Sequence, residues 1–150
     1  MTSVVVDTNV LLSFLLDRDA GQQRRAAELL EAAATRSLLL VLHQQVLTEL
    51  VYVLVNVYDQ RRDTAAAIVR DLLALPGVRT MDALEWGQVL RLWPEPLHDF
   101  ADAALAAACS SGGHDAVATF DLAFAKQLRE LGLEPYWPDL SPRRGPSGAR

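Results

Sequence analysis

Three β-branched residues in a row, Val4, Val5 and Val6, run without a break into the polar triplet Asp7, Thr8 and Asn9. Such an uninterrupted run reads as a strand buried on both faces of a parallel sheet. Beyond the triplet, Val10, Leu11, Phe14 and Leu15 recur at helical spacing, so Asp7 falls where a central strand gives way to a helix. In open α/β sheets ligands bind outside the carboxyl ends of the strands, at such junctions. The Asp7 carboxylate is therefore either a helix cap or a working group, and the rest of the chain must decide between them.

The strand-then-helix alternation recurs along the chain. Further strands are predicted at Leu38–Leu42, Gly77–Met81 and Ala116–Thr119, with a candidate fifth near Leu133–Trp137. Helical periodicity covers Gln22–Thr35, Gln44–Tyr58, Asp63–Ala74 with Asp63 as its cap, and Asp82–Trp93, which Pro94 and Pro96 stop. It continues over Asp99–Cys109 and Asp121–Leu131, the latter closed by Gly132. This order predicts an α/β fold, with helices on both faces of a central, mostly parallel sheet of four to five strands. The expected domain spans residues 1–140. The tail 141–150, "SPRRGPSGAR", is rich in Pro, Gly, Ser and Arg and is expected to be disordered.

At 150 residues, 51% hydrophobic and 22% charged, the composition is that of an ordinary globular domain able to bury its own core. A single cysteine, Cys109, excludes a disulfide framework within the chain and a cysteine-based zinc site. The longest apolar stretch is broken by His43, Gln44, Gln45 and Glu49, so no membrane span is expected. No secretory signal is read at the N-terminus, and the expected location is the cytoplasm. The net charge of −5 argues against a broad basic nucleic-acid surface. It does not exclude a nucleic-acid substrate, because acids filled by divalent cations present a positive face to phosphate.

Five carboxylates fall near predicted strand ends or on the helices beside them: Asp7, Glu49, Asp99, Asp102 and Asp121. Asp99 and Asp102 share a helix face at i, i+3. If the sheet is parallel, these groups converge on one edge, where close pairs repel by several kcal/mol at an effective dielectric near ~20. A cation relieves that repulsion, and an all-oxygen donor set selects Mg²⁺ or Mn²⁺ over zinc. Metal-assisted phosphodiester hydrolysis is the chemistry such a site supports best, with one ion activating water and a second, about 3.5–4 Å away, stabilising the leaving oxygen.

Taken together and in order, "VVVDTNVLL", "VLTELVYVL", "DFADAALAA" and "VATFDLAFAKQL" resemble the motifs of the PIN-domain family of metal-dependent ribonucleases. Within it they are most similar to VapC-type toxins of bacterial toxin–antitoxin pairs. The resemblance runs over residues 3–137 and implies a PIN-like three-layer α/β/α fold. It implies Asp7, Glu49, Asp102 and Asp121 as the catalytic, metal-holding acids, with Asp99 as an additional candidate ligand. Asn9 and Thr119 match supporting positions that orient acids or water. At Ala123 the chain departs from the pattern, since many relatives carry a further acid there. The resemblance further implies an Mg²⁺- or Mn²⁺-dependent endoribonuclease acting on RNA, a homodimer, and a cognate antitoxin as partner. A non-toxin RNA-processing PIN nuclease and a catalytically inert PIN binding module are the alternatives.

Each candidate also has a purely structural account. Asp7, Asp99 and Asp121 stand where helix caps belong, and Asp102 suits the first turn of a helix. Glu49 lies among Val46, Leu47, Leu50, Val51 and Val53, so a buried partner such as His43 is expected for it. His98 and His114 are read as non-catalytic, and Cys109 as a small core residue. Trp86 and Trp93 are read as core or interface. A haloacid-dehalogenase-type phosphatase needs a second acid two positions after the first, where this chain has Asn9. A receiver domain needs a lysine after its last strands, and the sole lysine, Lys126, falls inside a predicted helix.

Overall fold

The computed structural model describes residues 1–140; the tail expected to be disordered lies outside the described residues. Four strands, β1 (Ser3–Val6), β2 (Leu39–His43), β3 (Val78–Met81) and β4 (Ala116–Ala118), form one sheet in the order β3-β2-β1-β4. Every pairing is parallel, with Val4 opposite Leu40 on one side and Ala116 on the other. The buried valines of β1 thus occupy the centre of the sheet, as an unbroken apolar run requires. Among the described residues seven helices complete the α/β architecture: α1 (Thr8–Leu15), α2 (Ala20–Ala34), α3 (Gln44–Asn56), α4 (Arg62–Ala74), α5 (Trp86–Leu92), α6 (Phe100–Ser111) and α7 (Leu122–Glu130). Helix α6, with Ala103 through Cys109 all buried, packs on β1 and β4, and α2 and α3 pack on β2. Cys109 is a core residue, and desolvation pushes its thiol up to about 11.

Three predicted boundaries are corrected. The candidate fifth strand contributes a single parallel bridge, Val117 with Pro135. Val117 N donates to Glu134 O and Tyr136 N to Val117 O, but Pro135 has no N–H with which to continue a ladder. Trp137 instead stacks on Phe120, ring centroids 4.6 Å apart, and closes that edge. The helix predicted from Asp82 begins only at Trp86. Buried His43, with Nδ1 accepting from Gln45 N and Nε2 donating to Ala83 O, ties the preceding stretch to the end of β2. Asp63 does not cap α4: Arg61 holds the cap position, and Asp63 sits in the first turn, bonded to Arg61 and to Thr64 N. By contrast, Gly132 follows the last helix with φ +76°, as its predicted closing role requires.

Gly77 enters β3 where the backbone runs tightest. A Cβ there would meet Ala33 O at 2.4 Å and Leu38 O at 2.6 Å. The close approach lets Gly77 N donate to Ala33 O while Leu40 N donates to Gly77 O, locking the end of α2 to β2 and β3. Among the described residues no helix is long and apolar enough to cross a membrane.

Candidate active site

The strand order changes direction at β1: β2 and β3 lie to one side, β4 to the other. Ligand sites in such sheets open at this switch point, at the carboxyl edge. Register pairs Val6 with Ala118, so the next residues, Asp7 and Thr119, face each other across the seam between β1 and β4.

Asp7 occupies the N-cap position of α1, yet its side chain makes no cap bond to that helix's first turn. Its Oδ2 accepts from Thr119 Oγ1 at 2.8 Å and from Asn9 Nδ2 at 3.1 Å. Asn9 Nδ2 also reaches Thr119 Oγ1, and Asn9 Oδ1 accepts from Phe120 N. Thr119 Oγ1 accepts in turn from Asp121 N at 3.1 Å. Asn9 and Thr119 thus hold one Asp7 oxygen inside a closed polar knot. Asp7 therefore makes no side-chain cap bond, and of the helix's backbone groups only that of the adjacent Thr8 ties its carboxyl to the helix start.

Asp99 and Asp121 do cap their helices. Asp99 Oδ1 accepts from Asp102 N at 2.9 Å, and Asp121 Oδ1 accepts from Phe124 N at 3.1 Å. Each carboxylate keeps a second oxygen for other work, so capping and ligand holding are compatible in them. Asp102 stands in the first turn of α6. Glu49, on α3, is exposed rather than buried, and its partner is not His43 but buried Thr8, whose Oγ1 donates to Glu49 Oε2 at 2.9 Å. Thr8 is a site residue that sequence reasoning passed over. Its place beside Asp7 at the strand end was the available signal.

All five acids line one cleft of about 280 Å³, together with Thr8, Asn9 and Arg18. Burial pushes Asp7 up to about 6, against the lowering effect of its hydrogen bonds, with Glu49 and Asp121 adding repulsion. Burial also pushes Asp102 up to about 7, with further upward pressure from Asp99, Asp7, Asp121 and Glu49. Among the described residues no ion pair reaches any of the five. The cleft therefore concentrates five acids against one arginine, Arg18, which pairs with none of them.

The donor set consists of hard carboxylate and hydroxyl oxygens, which suits Mg²⁺ or Mn²⁺ and not a thiophilic ion. Among the described residues, however, no three acids close tightly enough to form a ready-made ligand group. The hydrogen bonds explain the spacing. Thr119 and Asn9 hold Asp7, Thr8 holds Glu49, and helix N-termini hold Asp99 and Asp121.

Known proteins share this fold. Among solved structures, VapC20 of Mycobacterium tuberculosis, described as a sarcin-ricin loop cleaving toxin, is similar at 20% identity, covering 83% of this chain and 94% of its own, with a TM-score of 0.59. PAE2754 from Pyrobaculum aerophilum is similar at 19% identity over 84% of each chain, TM-score 0.58. FitAcB from Neisseria gonorrhoeae is similar at 15% identity over 90% of this chain and 97% of its own, TM-score 0.61. Likeness at these identities shows a shared fold. No curated protein matches the chain in sequence. The PIN domain family model matches residues 3–123, from the first residue of β1 into α7. With that match spanning the whole sheet and every acid of the cleft, the chain belongs to the PIN-domain family.

Proposed function

We propose that this PIN domain is an Mg²⁺- or Mn²⁺-dependent endoribonuclease and the toxin of a VapBC-type toxin–antitoxin pair. The observation that carries the reading is the cleft itself: five acids gathered at the sheet's switch point, with exposed Arg18 at its lip and, among the described residues, no ion pair to any of the five. Keeping Asp7 and Asp102 ionised there is costly, and a ligand of opposite charge gives the cost a purpose. Asp7, Glu49, Asp102 and Asp121 would hold the cation, with Asp99 beside them. A cation so held supplies activation of a water nucleophile and neutralisation of phosphate charge.

The protein's own groups have separable roles. The Asn9–Thr119 knot fixes the orientation of Asp7 and leaves its Oδ1 for a ligand. Thr8 steers Glu49 from α3 toward the same point. Burial and the neighbouring acids push the Asp102 carboxyl up to about 7, a cost that a bound cation would offset.

The toxin assignment draws on VapC20, which is described as a toxin. An apolar groove of about 460 Å³, walled by Phe14, Leu15, Leu30, Ile68, Leu72 and Leu75, offers the antitoxin a place to lay a helix. A homodimer is part of the same proposal.

Incubating the purified chain with total RNA and Mn²⁺ or Mg²⁺ tests the activity. Discrete cleavage is expected from the wild type and none from Asp102→Asn, both retaining the same folded spectrum. Equal cleavage by the two proteins refutes the assignment. Conditional expression tests the toxin role: growth arrest relieved by Asp102→Asn and by the neighbouring open reading frame supports it, and cleavage without arrest leaves an RNA-processing nuclease.

A further inference from the structure

Arg18 sits in the turn between α1 and α2, exposed, and lines two cavities at once. One is the acid cleft. The other, about 410 Å³, adjoins it through the shared residues Asn9, Arg18 and Asp121 and continues past Gln22, Arg25 and Leu122. Among the described residues Arg18 is the cleft's only cationic lining residue. No ion pair or side-chain hydrogen bond holds its guanidinium among those residues. Arg25, at the far side of the second cavity, differs: Asp139 binds it through two contacts, at 3.2 and 3.3 Å, and so neutralises it.

A guanidinium at the lip of five carboxylates would pair with one of them if its role were internal charge balance. It pairs with none. The second cavity is lined by three acids, Asp19, Asp121 and Asp139: Asp139 is bound by Arg25, while Asp19 and Asp121 each cap a helix through one oxygen. Its walls combine polar groups, Gln22 and Arg18, with the apolar side chains of Leu122 and Leu140. Its volume lies within the range of pockets that enclose small organic ligands. A planar base over leucine with its phosphate at an arginine fits that mixture, and Arg offers phosphate a bidentate fork.

We infer that the second cavity receives the nucleotide flanking the scissile linkage, and that Arg18 binds the phosphate joining that nucleotide to the one in the acid cleft. A base enters such a cavity only when it is out of a helical stack, so the substrate segment is single-stranded. The inference rests on the nuclease reading above and deepens it.

Binding separates the two. In the Asp102→Asn background, with Mg²⁺ present, the strand is bound and not consumed. The probe is a fluorescein-labelled adenosine oligoribonucleotide of about 12 nucleotides, followed by anisotropy across a salt series. Arg18→Gln is expected to weaken binding about tenfold and to lower the slope of log affinity against log salt by about one, the signature of one lost phosphate contact. Arg18→Lys should keep the slope, because the charge remains. Arg70→Gln, on the exposed surface of α4 and lining neither cavity, should change nothing. The same strand annealed to its complement should bind more weakly. Arg18→Gln with unchanged affinity and slope, or a duplex bound as tightly as the single strand, overturns the inference while RNA cleavage by the wild type leaves the nuclease reading intact. A wild type that cleaves no RNA removes both.

Discussion

Replacing Asp7 with Asn should make the protein more stable while abolishing cleavage, and the gain should depend on pH in a defined way. In the folded chain, burial and repulsion from Glu49 and Asp121 raise the Asp7 carboxyl from 3.8 to about 6. The native state therefore keeps a proton that the unfolded chain has already lost. Stability on this account is fully present below pH ~4, falls as pH rises toward about 6, and is flat beyond. Two units at 1.36 kcal/mol each place the cost of ionised Asp7 at up to about 3 kcal/mol. Asparagine, neutral like the protonated acid, removes that cost, and the shift is already net of the bond from Thr119. A gain of up to about 3 kcal/mol results at pH 8, a rise in Tm of up to roughly 9 °C for a domain of this size. Urea unfolding at pH 4 and pH 8, without divalent cations, measures it. The variant's midpoint should exceed that of the wild type at pH 8 and converge on it at pH 4. A variant less stable at pH 8, or an advantage of equal size at both pH values, refutes the reasoning.

Three further outcomes follow from other parts of the molecule. Saturating Mn²⁺ or Mg²⁺ should raise the wild-type Tm, by an amount equivalent to about 2.7 kcal/mol at a hundredfold excess over Kd. The rise should shrink in Asp7→Asn and Asp102→Asn, as differential scanning fluorimetry would show. Thr119→Val keeps the shape of a buried side chain but removes the hydroxyl that serves Asp7, Asn9 and Asp121 N; it should cost about 2 kcal/mol in urea midpoint and push the Asp7 carboxyl higher still, measured by NMR titration. Gly77→Ala forces a methyl against two carbonyl oxygens, and a loss of about 3 kcal/mol or more in thermal unfolding is expected.

The periodicities in the sequence were sufficient for the sheet and for the acids. β-branched runs and helical spacing are local signals, and three buried valines in sequence admit few positions other than the middle of a parallel sheet. That Asp7, Glu49, Asp99, Asp102 and Asp121 gather at one edge was legible because each sits near a strand end or on the helix beside it; singling out four of them rested on the family resemblance. What a residue touches was not legible. Helix α3 carries apolar residues around most of its circumference, with Val51 and Tyr52 exposed, so hydrophobicity did not reveal its rotation and Glu49 looked buried. Its bond to Thr8 spans 41 positions, beyond any local pattern. Arg18 was hidden for a similar reason: only the turn that brings it back over the strand ends distinguishes it from the other surface arginines. The failed fifth strand shows the opposite case, where a local β signal at Leu133–Trp137 lost to the missing N–H of Pro135.

The knot of Asp7, Asn9 and Thr119 ties a three-residue edge strand to the centre of the sheet, so part of the candidate site also bastes the fold together. Asp102 carries no such duty. A descendant freed from selection on its chemistry would therefore shed that acid early, while the asparagine and threonine persisted as fossils of an activity already gone.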